Sequence, residues 1–223
     1  MTAVSAPPRL VEAVKGGEAA AVARLLDQDP TLADAREAGV SLLLLALYYG
    51  HPAVAGVFAS RRRRLDVYEL SALGEAQAIR ELVALSPDEA QRPSPDGYTA
   101  LGLAAFFCHE RAALALLDAG ADPRLPSRNA MRVAPLHSAV ARRCVAIARL
   151  LLDRGADANA QQAGGFTPLH GAAANGDRPM AELLVDRGAD PCMRNDDGST
   201  ASDLARARGH EGLADWLGGV AGG

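Results

Sequence analysis

Large aromatic side chains are scarce in this chain: four Tyr, four Phe and one Trp among 223 residues, 4% in all. With so few rings, the place of each one is informative. Strong charge of either sign is lacking too, since 27 acidic against 23 basic residues leave a net charge of −4. That balance argues against a protein built to grip phosphate backbones, so nucleic acid is not the expected partner. Cysteine is limited to Cys108, Cys144 and Cys192, an odd number spaced 36 and 48 residues apart with no C-x-x-C pair. A zinc site and a disulfide framework are therefore not expected, and reducing agents should leave folding unchanged. No long hydrophobic run exists either. The densest, Leu42 to Tyr49, is too short to span a bilayer, and the start MTAVSAPPRL lacks the apolar core of a signal peptide. The expectation is a cytoplasmic chain with no membrane contact. Lysine is confined to Lys15 against 22 arginines, and with the abundant alanine this suggests a GC-rich, bacterial gene.

What is present is ample for a core: 49% hydrophobic and 22% charged residues exclude disorder and coiled coil as the main state. The chain also repeats. Asp96-Gly-Tyr-Thr-Ala-Leu-Gly-Leu-Ala-Ala105, Arg132-Val-Ala-Pro-Leu-His-Ser-Ala-Val140, Gly165-Phe-Thr-Pro-Leu-His-Gly-Ala-Ala173 and Gly198-Ser-Thr-Ala-Ser-Asp-Leu-Ala205 align with Thr99, Ala134, Thr167 and Thr200 in register, 35, 33 and 33 residues apart. Leu116-Leu-Asp-Ala-Gly-Ala-Asp122, Leu151-Leu-Asp-Arg-Gly-Ala-Asp157 and Leu184-Val-Asp-Arg-Gly-Ala-Asp190 recur at matching intervals. T-P-L-H-x-A-A followed by L-L-L-x-x-G-A-D resembles the ankyrin repeat, most closely over residues 166–190.

The resemblance implies an all-α solenoid of helix-turn-helix repeats with short β-hairpin fingers. The glycine that closes the first helix in that family matches Gly17, Gly50, Gly74, Gly176 and Gly209, while Cys108 and Arg143 stand in its place in repeats four and five. Seven landmarks give about seven repeats, at intervals of 33, 24, 34, 35, 33 and 33 residues. The short interval predicts a shortened finger near 60–66, with Ala53 to Arg64 running almost directly into a helix that starts near Asp66. The expected layout is one domain over residues 8–217, with an N-terminal cap at 8–37, a C-terminal cap at 195–217, and flexible termini at 1–7 and 218–223.

Local chemistry agrees with the resemblance. Pro168 sits where a helix tolerates proline, at its first turn, with Thr167 as N-cap beside it. Leu169, Ala172 and Ala173 then share one thin apolar face, whose alanines allow close approach of a neighbour. The second helix, Pro179 to Val185, adds bulk, and Gly188 follows where positive φ is required. Each unit buries one side only by stacking on the next.

No catalytic or metal constellation emerges, and no cofactor is implied. All five histidines fall at repeat positions: His137 and His170 in T-P-L-H, where the resemblance implies a hydrogen bond between neighbouring hairpins, and His51, His109 and His210 just after the closing residue. G-x-S-x-G, P-loop and paired-carboxylate motifs are absent, so the chain is not expected to be an enzyme. An enzyme hidden in Ser60 to Pro95 is the least supported alternative. Arg61 to Arg64 is the sole charge run. It reads as a solvated helix end, with an acidic protein partner, and then nucleic acid, as weaker alternatives.

The aromatics point to a surface. In proteins of this kind the residue before the motif Thr, and the two before the closing position, face the concave groove. Tyr98 and Phe166 hold the first place; Tyr48, Tyr49, Phe106 and Phe107 hold the second, and Arg142 occupies the matching place in repeat five. Two readings stay open: a partner-binding patch, or rings packed across adjacent repeats to compensate for irregular ones. The expected function is a non-enzymatic, monomeric scaffold that binds a protein partner through the groove. Alternatives are an inhibitor or antitoxin-like module that blocks a neighbouring enzyme, or a secreted effector.

Overall fold

The computed structural model describes residues 5–62 and 64–222. Among them the chain is helical, with fourteen α-helices and little strand. The helices come in short antiparallel pairs: α1 (Pro8–Lys15) with α2 (Ala19–Gln28), α3 (Leu42–Tyr48) with α4 (Pro52–Arg61), α5 (Val67–Leu73) with α6 (Ala76–Leu85), and α7 (Ala100–Phe106) with α8 (Glu110–Asp118). They continue as α9 (Pro135–Ala141) with α10 (Val145–Asp153), α11 (Pro168–Ala174) with α12 (Arg178–Asp186), and α13 (Ala201–Ala207) with α14 (Glu211–Ala221).

First helices stack on first helices, with α5 on α7, α7 on α9, α9 on α11 and α11 on α13, while α6, α8, α10 and α12 form the second layer. Small residues permit this. Ala100, Ala104 and Ala105 of α7, Ala139 of α9 and Ala172 and Ala173 of α11 are all buried, and their lack of bulk lets helix axes approach closely. Leu116, Ile147, Leu151 and Leu184 fill the space between the layers and are fully buried. A continuous apolar cluster runs from Leu44 to Leu217, and a second joins Ala6 to Phe58.

Helix starts follow the expected signals. Thr99 and Thr167 cap α7 and α11 with their side chains, and Ser41 does so for α3. Asp66 caps α5 in a reciprocal capping box with Glu69. Only residues 62–66 separate α4 from α5, whereas residues 29–41 separate α2 from α3. The two apolar clusters meet at α3, with Leu44 in the later one and Leu47 and Leu65 packed against both.

The fingers are mostly turns. Among the described residues one antiparallel strand pair forms, β1 (Arg36–Glu37) with β2 (Val40–Ser41). Successive later fingers are tied to each other instead: Arg128 N–H donates to Gly97 O at 2.8 Å, Ala163 N–H to Met131 O at 2.9 Å and Asp196 N–H to Gly164 O at 3.0 Å. Backbone groups that a longer hairpin would pair internally are thereby satisfied between neighbours.

Both ends extend past the expected limits. Ala6 is buried and its N–H donates to Arg36 O at 3.0 Å, so residues 5–7 are held by the first finger. Helix α14 passes through Gly218 and Gly219 to Ala221. Its apolar side, Leu213, Ala214 and Leu217, is anchored in the core, and one turn beyond that anchor can propagate through glycine at a modest penalty. Residues 1–4 and 223 lie outside the described residues.

Candidate functional site

An apolar cavity of about 560 Å³ opens between the fingers and the first helices in the middle of the chain. Leu103 and Phe106 of α7, Val140 of α9 and Ala174 of α11 form its floor and walls, and the finger residues Tyr98, Val133 and Phe166 close its side. The lining is predominantly apolar, with His137, Ser138, Gln162, Thr167 and Asn175 among its polar residues.

The seven residues singled out from sequence are distributed unevenly around this cavity. Tyr48, Tyr98, Phe106 and Phe166 line it. Arg142 sits over the Phe106 ring, 5.2 Å from its centroid. Phe107 is not part of the lining: partly buried, it packs against the core, stands edge-on to Phe106 at 5.2 Å and stacks with Tyr48 at 6.2 Å. Tyr49 is apart from the rest, half exposed, with Lys15 Nζ 5.8 Å above its ring. Adjacent helix positions explain this split. Residues 48 and 49, or 106 and 107, project about 100° apart at the end of a helix, so one member of each pair faces the cavity and the other does not.

The Tyr48 hydroxyl donates to Asp96 Oδ2 at 2.8 Å. Burial, reinforced by this carboxylate, pushes the Tyr48 phenol far above its ordinary range, so it is a neutral donor at the cavity's edge. Tyr48 also lies 6.5 Å from Tyr98. The rings thus pack across neighbouring repeats and also border an open cavity.

His137 belongs to the lining, and sequence position alone had left it as scaffold. Its Nε2–H donates to Phe166 O at 3.1 Å, as the T-P-L-H resemblance implies, and His170 Nε2–H reaches Ser199 O at 3.0 Å. The other ring nitrogens differ. Thr167 Oγ1 lies 2.8 Å from His170 Nδ1, whereas His137 Nδ1 is buried without a partner. The cause is legible in the sequence: Ala134 stands where Thr167 stands, and an alanine has no hydroxyl to offer. Burial lowers the basicity of both imidazoles.

Two expectations are corrected here. Arg61 and Arg64 are exposed, as a solvated helix end requires, but Arg62 is not. Arg61 pairs with Asp27 at 2.7 Å, and Arg62, its side chain 9% exposed, pairs with Asp34 at 2.8 Å and contacts the fully buried Glu69. The short connection after α4 draws Arg62 inward against α5, where burial raises the Glu69 carboxyl above its usual range and Arg62 opposes that shift. Arg63 lies outside the described residues. The second correction concerns the cysteines. Cys108 and Cys144 are paired, with Cα atoms 5.8 Å apart, because a separation of 36 residues is close to one repeat and stacking sets such residues side by side. Cys192 is free and exposed.

Among the described residues no three His, Cys, Asp or Glu side chains gather as a metal site, and no helix is long and apolar enough to cross a membrane. Residues 136–185, spanning α9 to α12, match the family described as ankyrin repeats (many copies). Ankyrin repeat and SOCS box protein 16 of Mus musculus is 46% identical over 59 residues, covering 26% of this chain and 13% of the mouse protein. The aligned stretch is thus a small part of that relative. Stacked helix pairs and T-P-L-H segments bridging successive fingers accompany these two matches, so residues 136–185 are similar to ankyrin repeats.

Proposed function

We propose that the chain is a non-enzymatic, monomeric scaffold of seven ankyrin repeats, working in the cytoplasm, that binds a partner protein across the groove formed by its fingers and first helices. Ankyrin repeats are generally protein–protein interaction modules. The observation that carries the reading is the apolar cavity bordered by Tyr48, Tyr98, Phe106 and Phe166. Its size lies within the range of about 300–1,000 Å³ typical of ligand pockets, and its apolar lining suits an aliphatic or aromatic anchor side chain of the partner. Burying one such side chain contributes about 1.5–3 kcal/mol. Exposed Arg142, stacked on Phe106, and exposed Arg128 and Arg132, on the finger that ends in Val133, put positive charge around the opening. The favoured partner segment therefore places carboxylates beside its apolar anchor.

The test is affinity capture from the native organism with the wild-type chain and with Phe106→Ala, Phe166→Ala and Tyr49→Ala as separate baits. The expected result is at least tenfold loss of the captured partner for Phe106→Ala and Phe166→Ala, retention by Tyr49→Ala, and native circular dichroism for all. Equal capture by every folded variant overturns the cavity as the binding site.

A further inference from the structure

Stacking of the repeats sets the residue that begins the second helix of one repeat over the residue that closes the first helix of the repeat before. His51 lies over Gly17, His109 over Gly74 and His210 over Gly176: a Cβ added to these glycines would stand 2.7, 2.6 and 2.5 Å from an imidazole atom. His51 and His109 use this place to reach back to the preceding repeat, their Nε2 lying 2.9 Å from Lys15 O and 3.0 Å from Ala72 O. The same register brings Cys144, which begins α10, over Cys108, which closes α7 with a φ of 59°.

At this junction both residues depart from the pattern together, and sterics connect the departures. A closing residue with a Cβ leaves no room for an imidazole above it, so the facing residue has to be small. Cys144 is small, and the Cα separation of 5.8 Å falls in the range of about 5.5–6 Å at which a disulfide closes without backbone movement. A covalent link thus stands where the junctions at Gly17, Gly74 and Gly176 use a histidine. Both sulfurs lie against the Arg142 carbonyl, at 3.9 Å from Cys108 and 3.4 Å from Cys144. The pair therefore joins the loop after Phe106 and Phe107 to the loop that carries Arg142 and Arg143, at the rim of the cavity. Cys108 is exposed and Cys144 half-buried, so reagents in solution reach the pair.

We propose that Cys108 and Cys144 form a reversible thiol–disulfide exchange site, with low-molecular-weight disulfides as co-substrate, whose oxidised state staples two neighbouring repeats beside the cavity. The exposed Cys108 thiolate attacks one sulfur of the small disulfide RSSR, forming a Cys108–S–S–R bond and releasing RS⁻. The Cys144 thiolate then attacks the Cys108 sulfur, forming the internal disulfide and releasing the second RS⁻. Two cysteine thiols are oxidised, one RSSR is reduced to two RSH, and the two protons leave with the products. Excess RSH reverses both steps.

The full chain is equilibrated in mixtures of reduced and oxidised glutathione, quenched in acid, alkylated and read by intact and peptide mass spectrometry, with melting followed in parallel. As oxidised glutathione rises, two of the three alkylatable thiols should disappear together, one pair of peptides should be joined through Cys108 and Cys144, and the oxidised chain should melt higher than the reduced one. Cys108→Ser and Cys144→Ser should each keep a single unresolved glutathione adduct on the remaining partner and lose the difference in melting, while Cys192→Ser behaves as wild type. Separate adducts on Cys108 and Cys144 in the wild type, a bond involving Cys192, or identical melting of oxidised and reduced wild type would each overturn the assignment.

Discussion

Replacing Ala134 by Thr gives α9 the hydroxyl that its repeat lacks. In the neighbouring repeat Thr167 Oγ1 accepts from His170 N–H at 3.4 Å and donates to His170 Nδ1 at 2.8 Å, and Thr167 N–H donates to that nitrogen at 3.2 Å. None of these side-chain bonds forms at α9, whose N-cap carries no side-chain hydrogen bond and whose His137 Nδ1 is buried alone. The backbone needs no adjustment, since Ala134 has φ −76° and ψ 157° against −91° and 167° for Thr167. A threonine N-cap in place of alanine is worth about 0.5–2 kcal/mol, and satisfying a buried acceptor about 1–3 kcal/mol. One hydroxyl serves both purposes, so these figures overlap, and the expected net gain is about 1–2 kcal/mol. For a chain of this length that corresponds to a rise in melting temperature of roughly 2–8 °C, from about 2–4 °C per kcal/mol. Urea titration followed by circular dichroism measures it, with Thr167→Ala as the reciprocal loss of similar size. An Ala134→Thr chain no more stable than wild type, alongside a destabilised Thr167→Ala chain, would refute the equivalence of the two caps and the account of the orphaned nitrogen.

Gly188→Val should destabilise by about 1–3 kcal/mol through backbone strain, because Gly188 has φ 87° with open space around its Cα; Gly176→Ala should cost more than strain alone, since its Cβ would stand 2.5 Å from His210, and equal urea midpoints for these two variants would show the His210 contact to be inconsequential. Phe107→Ala, which removes a partly buried ring packed against the core, should lose about 1–3 kcal/mol of folding stability, whereas Tyr49→Ala, half exposed, should stay within about 0.5 kcal/mol; comparable midpoints for the two would contradict this packing. Acidification should destabilise the chain: burial lowers the folded-state pKa of His137 and His170, so the neutral-imidazole contribution is complete above the unfolded value of about 6.5 and is lost as pH falls toward the folded values. Urea midpoints at pH 7.5 and 5.0 read this loss, and a His137→Asn, His170→Asn variant with an undiminished pH response would rule out these imidazoles as its source.

The repeat made the helical fold legible, because T-P-L-H and the closing glycines fix both where a helix begins and which face it buries. The cavity was only half legible. Counting back from the closing residue selected Tyr48, Tyr49, Phe106 and Phe107 as one class, yet adjacent residues on a helix point in different directions, and only Tyr48 and Phe106 reach the cavity. Arg62 was misread because a charge run says nothing of what the chain brings to meet it: the connection to α5 is so short that Glu69 lies within reach. The paired cysteines escaped for a related reason. Sequence spacing of 36 residues looks remote in a linear chain, whereas in a stack whose interval is 33–35 residues it means lateral contact.

A repeat protein supplies its own reference state, since every position can be compared with its equivalents one interval away. Positions that follow the pattern, such as Gly17, Gly74 and Gly176 beneath their histidines, are accounted for by stacking. Besides the short connection after α4 and the left-handed Ala38, several departures from it fall around α7 to α10. Cys108 and Arg143 replace closing glycines while keeping positive φ, at 59° and 58°; Ala134 removes a cap and leaves His137 Nδ1 unpartnered; and Phe106 brings a ring to the first layer where α11 carries Ala174. Left-handed non-glycine residues each cost about 1–2 kcal/mol, and an absent cap about 1 kcal/mol. Several such penalties gathered at one place are not random drift of a helix stack toward its most stable sequence. They border the cavity that Phe106 and His137 line and the cysteine pair that sits beside Arg142. Local inconsistency of this kind is where strained or functional sites are expected, and it sets the α7–α10 junction apart from the regular repeats that support it.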